Sequence, residues 1–155
     1  NKESKEEIKM IALGCDQGGF ALKQEIMAHL KARGLEFKDY GSYDEQSVDY
    51  PVYAKKVAEA ILSGECDKGI LICGTGIGIS IAANKYEGIR AALCTDCFMA
   101  EATRLHNDAN VMCMGARTLG VGVALELAEL FIDTQFEGGR HETRVNMIHD
   151  MEEEF

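Results

Sequence analysis

Residues 69–86 read GILICGTGIGISIAANKY. The opening GILICG is a continuous apolar run bounded by glycines. Such a run suits a strand covered on both faces, as strands of a parallel sheet are. TGIGISIAANKY then turns into a helix. Upstream, residues 9–15 (KMIALGC) predict a strand, DQGG a turn, and FALKQEIMAHLKARG a helix with Leu22, Ile26 and Leu30 at helical spacing. Gly34 is the expected stop. Residues 35–40 alternate as a second strand, and 41–52 form a loop in which Ser47 or Asp49 is placed to cap a helix opening near Pro51 and running to about Ser63. Downstream, strands are expected at 88–95 and 110–116, and helices at 97–107, 121–134 and about 141–153. In the 97–107 helix Ala100, Ala102 and Leu105 are available for burial, and in the last helix Val145, Ile148 and Met151 form an apolar stripe. Five apolar strands alternating with helices predict an α/β fold: an open parallel sheet with helices on both faces. Ligands of such sheets bind beyond the carboxyl ends of the strands.

The chain has 155 residues, about one domain's worth, and no composition break or repeat divides 1–155. Lys plus Arg number 16 and Asp plus Glu 26, a formal charge of −10. That field disfavours a nucleic-acid partner, although a few arginines in one pocket can still hold a small anion. No stretch approaches 18 apolar residues, so no membrane helix is expected. The opening NKESKEEIK is charged, without the apolar centre of a signal peptide, and the chain does not start with Met. Six cysteines, several in apolar runs, read as buried reduced thiols in a cytoplasmic protein.

The chemistry concentrates in a few places. Cys73-Gly74-Thr75-Gly76-Ile77-Gly78 lies where a strand ends and a helix begins. Its glycines let backbone N–H groups approach a negative charge. The turn lacks the last glycine of the dinucleotide fingerprint and has no Gly-Lys-Ser/Thr. An anion site, a tight turn without ligand and a nucleotide site are its three readings. A thiol beside such donors loses its proton more readily, so Cys73 is a nucleophile, a base or a packed cysteine. Cys94 and Cys97 have dithiol spacing, but no second pair and no paired histidines complete a zinc set, so no metal is expected. Of the four histidines, 29 and 149 are expected at the surface. His106 heads a polar His-Asn-Asp run, as either a site residue or a solvent-facing cap. Arg140 and Arg144 lie four apart, on one face if a helix opens there; they suit a phosphate or carboxylate, or else pair with Glu142. Arg117 is a candidate to join them, and Asp16 follows the first strand. A thiol, a histidine, a carboxylate and three arginines favour proton transfer on a small anionic substrate over hydride transfer.

The runs GCDQGGFALK, SVDYP, GILICGTGIGISIAANK, GIRAA, HNDAN, MGAR and FEGGRHETRV together resemble the type B ribose-5-phosphate isomerases, grouped with allose- and galactose-6-phosphate isomerases. They span about residue 10 to 150. The resemblance implies a three-layer α/β/α Rossmann-like sandwich with a five-stranded parallel sheet. It implies a metal- and cofactor-free aldose–ketose isomerase of the pentose phosphate pathway, a homodimer or tetramer with sites between subunits. Ribose 5-phosphate and ribulose 5-phosphate would interconvert through a cis-enediolate. By resemblance Cys73 is the base and His106 opens the ring. Thr75 counts with them among the catalytic residues, and with Gly74, Gly76, Ile77 and Gly78 it wraps the enediolate. Asp16 and Asn107 hold sugar oxygens, and Arg117, Arg140 and Arg144 hold phosphate with His141 close by. One departure stands out: Gln17 follows Asp16 where the family usually has histidine. Gln17 donates from an amide but carries no charge. A different phosphosugar such as allose 6-phosphate, a free aldose, or a non-catalytic phosphosugar-binding module are the alternatives.

Overall fold

The computed structural model describes residues 10–155. Lys9, at the start of the first expected strand, and the charged opening segment lie outside the described residues. Five parallel strands, β1 (Ile11–Cys15), β2 (Phe37–Asp39), β3 (Lys68–Cys73), β4 (Ala91–Leu93) and β5 (Val111–Gly115), form one sheet in the order β2-β1-β3-β5-β4. The helices are α1 (Phe20–Ala32), α2 (Tyr50–Leu62), α3 (Ile77–Ala83), α4 (Cys97–Asn107), α5 (Val121–Asp133) and α6 (Arg140–Glu152). A single 3-10 turn, Gln17–Gly19, joins β1 to α1.

Alternation along the central strands explains the three layers. Ile11, Leu13, Ile70, Ile72, Met112 and Met114 face one side, with α1, α5 and Ala100 of α4. Ala12, Leu71, Cys73, Val111 and Cys113 face the other, with α2 and α3. Both faces are covered, so the central strands are apolar apart from Lys68, which opens β3.

The edge strands are shorter than the sequence suggests, three residues each. Each pairs on one side only. At β4 the Arg90 N–H goes to the Asn110 side chain at 2.8 Å instead of extending the ladder. Asp49 occupies the cap position of α2, yet its side chain accepts no bond there. In α4, Ala100 is fully buried, but the other inward positions are Thr103 and Arg104 rather than Ala102 and Leu105. The Arg104 guanidinium reaches Asp108 at 2.8 Å and the Ala109 and Thr134 carbonyls at 2.8 and 3.1 Å. These acceptors compensate its burial. His149 is half-buried: its Nε2 lies 2.9 Å from Arg90 Nη1, tying α6 to the start of β4. His29 is likewise half-buried against Glu129 at 2.9 Å.

Lys23 is fully buried on α1. Its ammonium lies 2.6 Å from Asp39 at the end of β2 and also donates to the Ser42 carbonyl. The rings of Phe20 and Tyr43 flank it at 5.6 Å each. A buried charge persists only when paired, so this lysine fastens the loop after β2 to α1.

Packing leaves no room for side chains where the site loops cross. A Cβ on Gly19 would stand 2.6 Å from the Ile72 carbonyl oxygen. Gly19→Ala is therefore expected to destabilise the fold by about 1–3 kcal/mol. Gly122, whose Cβ would meet nothing within 4 Å, supplies the contrast: Gly122→Ala should stabilise by up to about 1 kcal/mol. Denaturant unfolding of both variants checks the pair of signs.

Candidate active site

Asp16 and Gln17 follow β1. The Asp16 carboxylate accepts the Gly18 N–H at 3.0 Å and caps the 3-10 turn. Gln17 Oε1 accepts the Val48 N–H at 2.9 Å. That bond holds the 41–49 loop over the sheet edge and leaves the amide NH2 as the end that can turn to a ligand.

Cys73 ends β3 and is 5% exposed. Its Sγ accepts the Gly76 N–H at 3.1 Å. This bond requires the chain to double back at once, and Gly76 does so at φ +78°, a left-handed conformation suited to glycine. Thr75 Oγ1 accepts the Ile77 N–H at 3.2 Å where α3 begins. The Tyr50 ring lies on Gly78, so close that a Cβ there would meet it at 2.5 Å. Tyr50 is thus a wall of the turn. It stands within the SVDYP run, and only its contact with Gly78 marks it out.

Arg117 follows β5. Its N–H bonds the Gly74 carbonyl at 3.0 Å, and its side chain lies about 3.6 Å from where a Gly74 Cβ would stand. Asp16, Gln17, Cys73, Gly74, Thr75, Gly76, Ile77, Gly78 and Arg117 therefore gather at the carboxyl edge of the sheet, as the fold class predicts.

The remaining candidates gather elsewhere. In a parallel sheet each helix runs back against its strands, so a helix that starts at the carboxyl edge ends at the amino edge. His106 and Asn107 close α4 there, beside Asp108 and the start of β5. The Glu137 N–H bonds the Leu105 carbonyl at 3.1 Å, which brings the start of α6 to the same place. His141 is buried and stacks on His106, with centroids 4.2 Å apart and planes 18° apart. Glu137 faces both rings, at 3.9 Å from His106 and 3.5 Å from His141. Glu137 stood in the quoted FEGGRHETRV run, but only the fold shows its position between the histidines. Arg140 and Arg144 are exposed on the first turns of α6.

Arg117 therefore does not join Arg140 and Arg144 within one chain. Five residues of β5 at about 3.3 Å each put roughly 16 Å between the two edges. None of the three arginines has a carboxylate partner among the described residues, Glu142 included. In a chain of net charge −10, such guanidiniums are available for an external anion.

The stretch 11–148 matches the Ribose/Galactose Isomerase family. The chain is 50% identical to ribose-5-phosphate isomerase B of Escherichia coli, over 94% of this chain and 98% of the relative. It is similar to ribose-5-phosphate isomerase B of Clostridium thermocellum, at TM-score 0.92 and 53% identity over 93% of this chain and 97% of the other. The type B ribose 5-phosphate isomerase of Leishmania infantum superposes at TM-score 0.90 with 49% identity, covering 96% and 98%.

Burial, then the neighbouring His106 and Arg140, hold the His141 imidazole below its ordinary value of 6.5. The unfolded chain then binds the proton more tightly than the folded one, so stability falls as pH drops from about 6.5 through the depressed folded value. His141→Gln removes this dependence. The stability of the parent chain relative to the variant should decline between about pH 7 and 5, as read by thermal unfolding at a series of pH values.

Fold, sequence identity along the chain and the retained motifs agree: the chain belongs to the Ribose/Galactose Isomerase family.

Proposed function

We infer that this chain interconverts D-ribose 5-phosphate and D-ribulose 5-phosphate, as an aldose–ketose isomerase of the pentose phosphate pathway that needs no metal or nucleotide. The observation that carries the reading is the Cys73 thiol, set by the Gly76 N–H inside a turn of backbone donors at the end of β3.

The proton α to the sugar carbonyl is weakly acidic, and its removal leaves charge on an oxygen. As its thiolate, Cys73 takes the proton from C2 of the aldose; the C2–H pair becomes the second C1–C2 bond while the carbonyl pair moves onto O1. The O2 proton passes to O1, the O2 pair forms the C2 ketone, and the C1–C2 pair takes the proton back from the Cys73 thiol at C1, which restores the thiolate. Thr75 and the remaining amides of the Gly74–Gly78 turn face the enediolate oxygens, where preorganised donors act without reorganisation. His106 moves a proton during opening of the furanose ring. Asp16, Gln17 and Asn107 hold sugar hydroxyls. Arg117, Arg140 and Arg144 hold the phosphate beside His141, which supplies binding energy remote from the reacting carbons.

The two edges of the sheet make a homodimer part of this reading. Cys73 and Arg117 stand at one edge, and His106, Asn107, Arg140 and Arg144 at the other. One chain cannot close on its own substrate, but two antiparallel copies can offer opposite edges to each other. Apolar side chains are available to bury in such contact. Ile77 and Ile81 on α3 and Phe98 on α4 are 51%, 58% and 81% exposed, and of the expected α6 stripe only Val145 is covered by its own chain. Among the described residues no helix is long and apolar enough to cross a membrane.

Gln17 favours a second reading, in which another phosphosugar such as allose 6-phosphate is preferred. Its amide cannot supply the positive charge of the family's usual histidine.

Ribulose 5-phosphate should form from ribose 5-phosphate without added metal. Cys73→Ala should cut the rate by about 10²–10⁴-fold or more. A folded protein that binds phosphosugars but turns over neither ribose 5-phosphate nor allose 6-phosphate would be a binding module instead. Mixing inactive Cys73→Ala and inactive His106→Gln chains after co-refolding tests the shared site. Heterodimers carry one intact site, so about a quarter of the parent activity should return. No recovery would place all groups of a site within one chain.

A further inference from the structure

His106, Glu137 and His141 form a cluster that neither the isomerase chemistry nor the family comparisons assign to a metal. Glu137 and His141 lie four residues apart, but His106 is 31 residues before Glu137, so no spacing announces the set of three. Their two imidazole nitrogens and a carboxylate oxygen lie within 4.8 Å of one another. The set is the two-histidine, one-glutamate type that holds Zn2+ with open positions.

We propose that His106, Glu137 and His141 form a reversible inhibitory site for a borderline divalent cation, Zn2+ above all, which occupies the His106 imidazole. The inhibitory part rests on the isomerase reading; the binding part does not.

Tetrahedral zinc at about 2.0–2.1 Å from each donor needs donor separations near 3.3 Å. Glu137 Oε2 stands 3.5 Å from His141 Nε2 and its Oε1 3.9 Å from His106 Nε2, so to converge on one ion the carboxylate must turn one oxygen inward and the His106 ring must splay from its stack on His141. The residues that must move can do so: the Glu137 and His106 side chains are 50% and 43% exposed. His141 is the fixed point, buried and anchored by its N–H to the Gly138 carbonyl at 3.1 Å. Glu137 is anchored at its backbone to Leu105. Mg2+ and Ca2+, which prefer all-oxygen shells, do not suit this set. Arg140 and Arg144 next to the cluster repel a cation. They hold the affinity below that of a closed structural zinc site, in keeping with a reversible inhibitor.

Binding and inhibition are read separately. Co2+ titrated into the full chain should give visible d–d bands at one ion per chain, which Zn2+ bleaches and Mg2+ does not. Glu137→Gln and His141→Gln should each weaken Co2+ by more than the roughly 10–100-fold typical of losing an outer-shell partner, with folding checked by circular dichroism. Cys97→Ser should keep the bands. In the isomerase assay Zn2+ should inhibit the parent chain, and chelator should restore the rate. Bands that survive both ligand substitutions, or a thiolate charge-transfer band that vanishes with Cys97→Ser or Cys73→Ser, would overturn the site. Bound metal without inhibition of an active enzyme would overturn the inhibitory role. A protein that binds Co2+ through this set yet isomerises nothing would uphold the site and refute the isomerase reading.

Discussion

At the carboxyl end of β3 the backbones of three loops meet at distances that a side chain would block. Gly19 sits against Ile72, Gly76 against Met114 and Leu93, and Gly115 against Thr75; a Cβ at any of them would come within 2.6 Å of its neighbour. The loops after β1, β3 and β5 can close on one another only because these positions are glycine. That closure brings the Gly76 N–H to the Cys73 sulfur and Arg117 to Gly74. The glycines thus act as a geometric condition on the site, beyond their role as turn formers.

A second condition comes from topology. Parallel strands put the strand-end residues at one edge and the helix-end residues at the other. The groups for proton transfer at carbon and those beside His106 fall on opposite edges for that reason. In the proposed isomerase reading, that division is what calls for a second copy of the chain. Arg117 stands at one edge and Arg140 and Arg144 at the other, all three without carboxylate partners among the described residues of a chain of net charge −10. Buried pairings elsewhere keep those arginines apart from the scaffold. Lys23 is taken up by Asp39, and Arg104 by Asp108 and backbone carbonyls.

Much of this was legible beforehand. Unbroken apolar runs such as GILICG marked strands covered on both faces, and β1, β3 and β5 lie where those runs are. Helical spacing placed α1, α4 and α5 to within a residue or two. The edge strands were overestimated, because an alternating or apolar run does not say whether a partner strand exists on both sides. Arg104 was unreadable as a core residue, since its burial rests on acceptors from two segments, Asp108–Ala109 after its own helix and Thr134 after α5. The tie of half-exposed His149 to Arg90 was unreadable as well, because the two are 59 residues apart.

The sequence by itself determined the sheet class, the turn at Cys73–Gly78 and the residue types able to move a proton and hold a phosphate. Periodicity and backbone permissiveness are local properties, written into consecutive residues. Only the tertiary structure decided which of those residues meet. It set Tyr50 on Gly78, stacked His106 on His141 with Glu137 across both, and parted Arg117 from Arg140 and Arg144. Those relations depend on strand order and on the direction in which each helix returns, and they emerge when the sheet closes its two cores.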